Sequence, residues 1–331
     1  MSVAKKVVIT DFVGEPLEVE RGVLDGVAEV VALEARDESE LAGRVEDADA
    51  LMVYHFLQIG AATIARLEKC QLIVRCGAGF DAVDGAAARA RGISLANVPD
   101  YGTEEVADSA IAMTLSMVRG IHLLNSRLQR GEGDWTYEHA KPLRRLRTMV
   151  FGIVGIGEIG SAAAVRAKAL GFSVVAYDSY VEQERFAELG VERADTLDQL
   201  LAAADVVSLH CPLTDETRRM IDGEALSKMK RGSFFVNTAR GGVMDAEAVL
   251  EAVRDGRLAG AGLDVLETEP PERGDPLIAA WRNEEDPAHD RIIICPHAAF
   301  YSEESIVDMR RKGSENCRRI LEGEEPINVV N

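Results

Sequence analysis

The chain has 331 residues, more than one ordinary core accommodates and enough for two. Hydrophobic residues at 47% exclude a disordered chain, and no apolar run approaches the roughly 20 residues that span a bilayer, so no membrane role is expected. A net charge of −19 repels a phosphate backbone, so no nucleic-acid partner is expected either.

Strand-like runs at residues 7–10, 51–54, 72–75 and 93–96 alternate with amphipathic stretches, the pattern of parallel α/β layers. No charged, apolar and small-residue leader precedes the first run, which leads to the expectation of a cytoplasmic protein. One long helix is predicted from about residue 104 to about 130, because Ala107, Ile111, Leu115 and Val118 recur at helical steps. Asp100-Tyr101-Gly102-Thr103 reads as its start and Gly131-Glu132-Gly133 as its stop. A second alternation places strands at 149–154, 174–177, 206–210, 234–237, 261–264 and 292–294. A closing helix from about 302 to 321 is stopped by Gly323. The expected fold is α/β, with two Rossmann-like, doubly wound parallel-sheet domains. The cofactor domain (104–298) is inserted into a discontinuous substrate domain (1–103 and 299–331), with hinges at the two crossings.

Cys70, Cys76, Cys211, Cys295 and Cys317 are scattered, odd in number and lack a C-x-x-C pair. They read as reduced, buried thiols, and no metal is expected. Arg144, Arg145 and Arg147 form the tightest basic cluster and read as a solvated loop.

The run 149–154 leads into Gly155-Ile156-Gly157-Glu158-Ile159-Gly160 and a following helix. Gly155 permits the tight turn, Gly157 lets the backbone approach a pyrophosphate, and Gly160 lets helix and strand pack closely. A diphosphate is favoured at the helix N-terminus, where N–H groups and the dipole meet an anion. Asp178, ending the next strand, suits a ribose diol and repels a 2′-phosphate, so the expected cofactor is NAD. Three later segments lie where strand ends meet such a site: 236–242 with Arg240, 262–271 with Asp264 and Glu269, and 295–300 with His297. A 2-oxo acid needs a cation for its carboxylate and a proton donor for its carbonyl oxygen. Arg240 can fork onto the first, His297 can supply the second, and Glu269 can hold the imidazole and favour its charged form.

Gly155 to Gly160 with Asp178, Asn237-Thr238-Ala239-Arg240-Gly241-Gly242, Asp264 through Glu269-Pro270, and Pro296-His297 together resemble the D-isomer-specific 2-hydroxyacid dehydrogenase family over nearly the whole chain. The resemblance implies hydride transfer between NAD(H) and a 2-oxo acid/(R)-2-hydroxy acid pair. Arg240, Glu269 and His297 are then catalytic, and Asp264 faces the nicotinamide carboxamide. His210, Cys211, Pro212, Thr217, Thr238 and Ala239 line the cofactor. It also implies a substrate loop at Gly77, Ala78 and Gly79, and a homodimer formed through the NAD-binding domain. Within the family, the C-terminal-binding-protein-like branch is the nearest pattern. It implies that Arg75, Tyr54, His55 and Phe300 border the substrate, with Phe300 where that branch usually has tryptophan. It also opens an alternative: an NAD(H)-gated, corepressor-like binding protein with weak dehydrogenase activity. The stretch between Glu269 and His297 is longer than usual, and its excess around 279–290 reads as a surface loop or an active-site flap.

Overall fold

The computed structural model describes residues 5–331. The chain divides into two compact units. One comprises the chain through Gly102 together with Ser302–Asn331, and the other is Thr103–Tyr301.

The first unit is built on β1 (Lys5–Ile9), β2 (Ala28–Ala32), β3 (Ala50–Val53), β4 (Leu72–Arg75) and β5 (Ser94–Asn97). All neighbours run parallel in the order β2-β1-β3-β4-β5. Alternation along each strand divides its side chains between two layers. Val7, Ile9, Met52 and Val74 face one layer with Met309, Cys317 and Leu321 of the closing helix Glu303–Glu322. Val8, Leu51, Val53, Ile73 and Leu95 face the other with Ile64 and Ala88. Coverage on both faces explains why these strands read as continuous apolar runs. The closing helix is fastened by Arg310, which donates from Nε and Nη2 to the fully buried Glu20 carboxylate, both at 2.6 Å.

The second unit holds β6 (Val150–Val154), β7 (Ser173–Tyr177), β8 (Glu192–Arg193), β9 (Val206–Leu209), β10 (Ser233–Asn237), β11 (Leu258–Leu263) and β12 (Ile292–Ile294). Their order is β12-β11-β10-β9-β6-β7-β8, again parallel throughout. The strand order reverses between β6 and β9, and ligands of open α/β sheets settle outside the carboxyl ends of the strands at such a point.

Three expectations need correction. The long helix is two helices, Thr103–Val118 and Ile121–Arg130. Gly120 takes φ +63 between them and its N–H donates to the Met117 carbonyl, which ends the first helix in the left-handed way glycine permits. The periodic positions that suggested one helix all lie in the first piece. The extra stretch near 279–290 is no loose loop: it contains the end of helix Pro276–Arg282 and a short 3-10 turn at His289–Arg291. Asp286 is held by Arg254, and Asp290 by Arg130. Arg144 is likewise not merely solvated, since it pairs at 2.6 Å with the buried Asp205, which also receives the N–H of Val150.

Candidate active site

At the end of β6, Gly155 has φ +91, and a Cβ there would stand 2.8 Å from the backbone of His210 and Cys211. A Cβ on Gly160 would fall 2.0 Å from the Gly155 carbonyl oxygen, whereas the place beside Gly157 is open. The three glycines thus serve a turn, an approach surface and a helix contact. Helix Glu158–Ala169 begins after Gly157 with no side chain capping its first N–H groups, the arrangement that favours an anion. Ile156 itself is buried in the core, so only its backbone can face a ligand. Asp178 stands beside this loop: Oδ2 accepts the Ile156 N–H at 3.0 Å, and Oδ1 accepts those of Tyr180 and Val181.

Across the switch point, His210 shares a 2.9 Å hydrogen bond through Nε2 with Ser208. Desolvation pulls its pKa down to about 4, so the ring is neutral at pH 7. The same burial pushes the Cys211 thiol up to about 11. The following loop is knitted by Thr217, whose Oγ1 donates to the Pro212 carbonyl at 2.6 Å and accepts from Thr214 N at 2.8 Å.

The segment after β10 is shaped by Asn237, a residue that the sequence motif contained without a role attached to it. Its fully buried amide accepts from Ala239 N at 3.0 Å and donates to the Arg240 carbonyl at 2.9 Å, closing the turn through Thr238. An asparagine at a strand end followed by a turn was the available signal. A Cβ on Gly241 would lie 1.9 Å from the carbonyl carbon of Leu266. The Arg240 turn therefore seats directly on the segment that leads to Glu269.

Asp264 organises the last segment. Its carbonyl accepts the His297 N–H at 2.7 Å, and its carboxylate oxygens accept those of Ala298 at 2.9 Å and Ala299 at 3.0 Å. The residue is only 2% exposed. Burial pushes its carboxyl above the usual aspartate range, and the two backbone N–H groups pull against that rise. In this arrangement the carboxylate braces the His297 loop. His297 adopts φ +51 and places Nδ1 2.6 Å from Glu269 Oε2, while Glu269 Oε1 accepts the Leu266 N–H at 2.7 Å. Phe300 stands edge-on to the imidazole with ring centres 6.2 Å apart. A cavity of about 260 Å³ lined by Met117, His122, Ser233 and Phe234 lies at the opposite, amino ends of the strands and shares no residue with this group.

In the first unit, β4 ends at the buried Arg75, whose Nη1 donates to the Cys76 carbonyl at 3.2 Å. The guanidinium lies against Gly77, with Nη1 1.4 Å from where a Cβ would stand, so a larger residue there would displace Arg75. The loop through Ala78 and Gly79 is tied to β5, with Val98 N donating to the Gly77 carbonyl and Asn97 Nδ2 to that of Ala78. His55 is half-buried beside Phe12 and Phe56. Tyr54 continues the buried strand β3 into the core at 1% exposure.

Residues 111–299 match the family model of the D-isomer specific 2-hydroxyacid dehydrogenase NAD-binding domain. A glyoxylate reductase of Korarchaeum cryptofilum is 38% identical over 292 residues, covering 87% of this chain and 84% of that protein. The chain belongs to this family. A D-3-phosphoglycerate dehydrogenase of Methanocaldococcus jannaschii is 34% identical over 309 residues, 93% of this chain, which spans only 56% of that longer protein. The D-lactate dehydrogenase of Aquifex aeolicus, solved with NAD and lactic acid, superposes with a TM-score of 0.84 at 28% identity over 96% of each chain. The doubly wound second unit is thus the family's NAD-binding domain.

Proposed function

We propose that the chain is an NAD-dependent D-2-hydroxyacid dehydrogenase interconverting 2-oxo acids and (R)-2-hydroxy acids. The observation that carries this reading is the 2.6 Å contact of His297 Nδ1 with Glu269, on a loop pinned by Asp264 within an NAD-binding domain. Gly155, Gly157, Gly160 and the start of helix Glu158–Ala169, including Ile159, fit the diphosphate, and Asp178 the adenosine ribose. His210, Cys211, Pro212, Thr217, Thr238 and Ala239 would line the remainder. NAD(H), when bound, supplies or accepts the hydride. Arg240 binds the substrate carboxylate with its planar fork. In the first unit, Arg75 and the N–H groups of Gly77, Ala78 and Gly79 are assigned to the substrate. In reduction His297 gives a proton to the substrate oxygen from Nε2, and in oxidation the same nitrogen takes it back. Glu269 holds Nδ1, so that the reacting nitrogen is the one turned away from it.

The roles of the two units follow: the first binds substrate and the second the cofactor. We also assign the protein to the cytoplasm and to a homodimer built through the NAD-binding domain. Five unpaired cysteines support a reducing compartment. The exposed apolar run of Ile121, Leu128, Trp135 (89% exposed), Tyr137 and Leu143 supports a second copy as the partner. The relatives are named as enzymes, which supports turnover over the corepressor-like alternative. The test is NADH oxidation with a panel of 2-oxo acids. Turnover that yields the (R)-hydroxy acid is expected, and its absence in a protein that binds NADH overturns the reading.

A further inference from the structure

The first sheet presents three neighbouring strand ends, those of β1, β3 and β4, and their residues are unlike in chemistry. After β1 comes Asp11, fully buried, whose carboxylate accepts the N–H groups of Tyr54 (2.9 Å), His55 (2.8 Å) and Phe56 (2.6 Å) and the Thr10 hydroxyl (2.6 Å). This clamp fixes the chain just beyond β3. Phe12, at φ +66, lies 6.0 Å from the Tyr54 ring, 6.0 Å from His55 and 5.7 Å from Phe56, and His55 meets Phe56 edge-on at 5.5 Å. Phe12 is 37% and Phe56 58% exposed, so the cluster keeps ring surface open to solvent. On the adjoining strand, Arg75 pairs in register with Val53, one residue before this cluster.

We propose that this edge selects 2-oxo acids bearing a large apolar side chain, with an aromatic one preferred. The inference rests on the dehydrogenase reading and narrows it. An anchored cation beside a rigid aromatic surface is complementary to a carboxylate carrying an apolar tail. A tail with its own negative charge meets no lysine and no second arginine in the segments that form this edge, 11–14, 54–58 and 75–81, and Arg75 is already committed to the carboxylate. A phosphorylated or dicarboxylic side chain would lose its hydration there without compensation. Asp11 makes the surface rigid, because each backbone N–H that could let the 54–56 segment move is held by one carboxylate.

The experiment compares kcat/KM at saturating NADH for glyoxylate, pyruvate, 4-methyl-2-oxopentanoate, phenylpyruvate and 3-phosphohydroxypyruvate, for the wild type and Phe56→Ala. Calorimetric binding of the same acids to the NADH complex of a His297→Ala variant gives a readout independent of turnover. Phenylpyruvate is expected to exceed glyoxylate by at least about 10-fold, as pocket discrimination of apolar groups allows. Phe56→Ala should remove about 10-fold from phenylpyruvate in both measurements and leave pyruvate within about two-fold. Phe56 is exposed, so its truncation leaves the fold intact. Preference for glyoxylate or the phosphorylated acid, or an equal loss on every substrate in Phe56→Ala, overturns the inference and leaves the dehydrogenase reading standing. Failure of all five acids to be reduced, with NADH bound, overturns both.

Discussion

Substituting Glu269→Gln tests the acid–base assignment at one atom. The Glu269 carboxylate faces two donors at once, Leu266 N–H at 2.7 Å on Oε1 and His297 Nδ1 at 2.6 Å on Oε2. The two donors face different oxygens, and an amide keeps only one of those positions as an acceptor, so it accepts from one of them. If the oxygen turns to His297, the amide NH2 confronts the Leu266 N–H. An unsatisfied donor of that kind costs about 1–3 kcal/mol, or roughly 5- to 150-fold in the population of competent enzyme. If the oxygen turns to Leu266, the NH2 donates to Nδ1 and the neutral ring carries its proton on Nε2. That tautomer cannot take the hydroxyl proton of a 2-hydroxy acid, as when the aspartate of a Ser-His-Asp triad is made asparagine. Oxidation should therefore fall by about 10²–10⁴, the usual worth of general base catalysis, and reduction by less. Single-turnover NADH absorbance in both directions across pH measures this, with an NADH titration to show the cofactor site intact. Rates in both directions within about two-fold of wild type would refute the pairing and with it the role of Glu269.

The remaining predictions need less machinery. Arg240→Lys keeps the charge but not the fork, and kcat/KM for 2-oxo acids should fall by at least about 10²-fold with NADH affinity unchanged; a loss below about five-fold would argue against carboxylate binding by Arg240. Asp178→Ala should narrow the preference for NADH over NADPH, checked by kcat/KM for each cofactor, and an unchanged ratio would remove Asp178 from the ribose site. His210 gives a stability test. Its folded pKa of about 4 lies below the ordinary histidine value of about 6.5, so its contribution is complete above the unfolded value and is lost as pH falls towards 4. The loss should be about 2 kcal/mol between pH 7 and pH 5. Urea melts of the wild type and His210→Asn at both pH values should show a smaller acid loss in the variant, and parallel losses would contradict the assignment.

Both sheets were readable from the sequence because parallel strands covered on two faces leave unbroken apolar runs, as in residues 7–9 and 51–53. The glycine loop was readable for a different reason, since glycine answers a steric demand of the turn at Gly155 and of the helix contact at Gly160. The break at Gly120 was not, because helical periodicity reports which face is buried and not where the chain turns. Asn237 and Asp11 stayed hidden because they act on backbone N–H and carbonyl groups brought near by the fold, and only Asn237 sits inside a motif. The inward turn of Tyr54 escaped notice because alternation fixes a side chain's face only once the strand's register is known.

The closing helix also sets an order of events during synthesis. Met309, Cys317 and Leu321 complete one layer of the first sheet, and Arg310 neutralises the buried Glu20, yet all four leave the ribosome after the whole of Thr103–Tyr301. The nascent first sheet must therefore wait with one face only partly covered and Glu20 without Arg310 while the second unit, contiguous in sequence, can assemble. The segment made first is thus completed last, when the closing helix reaches its layer.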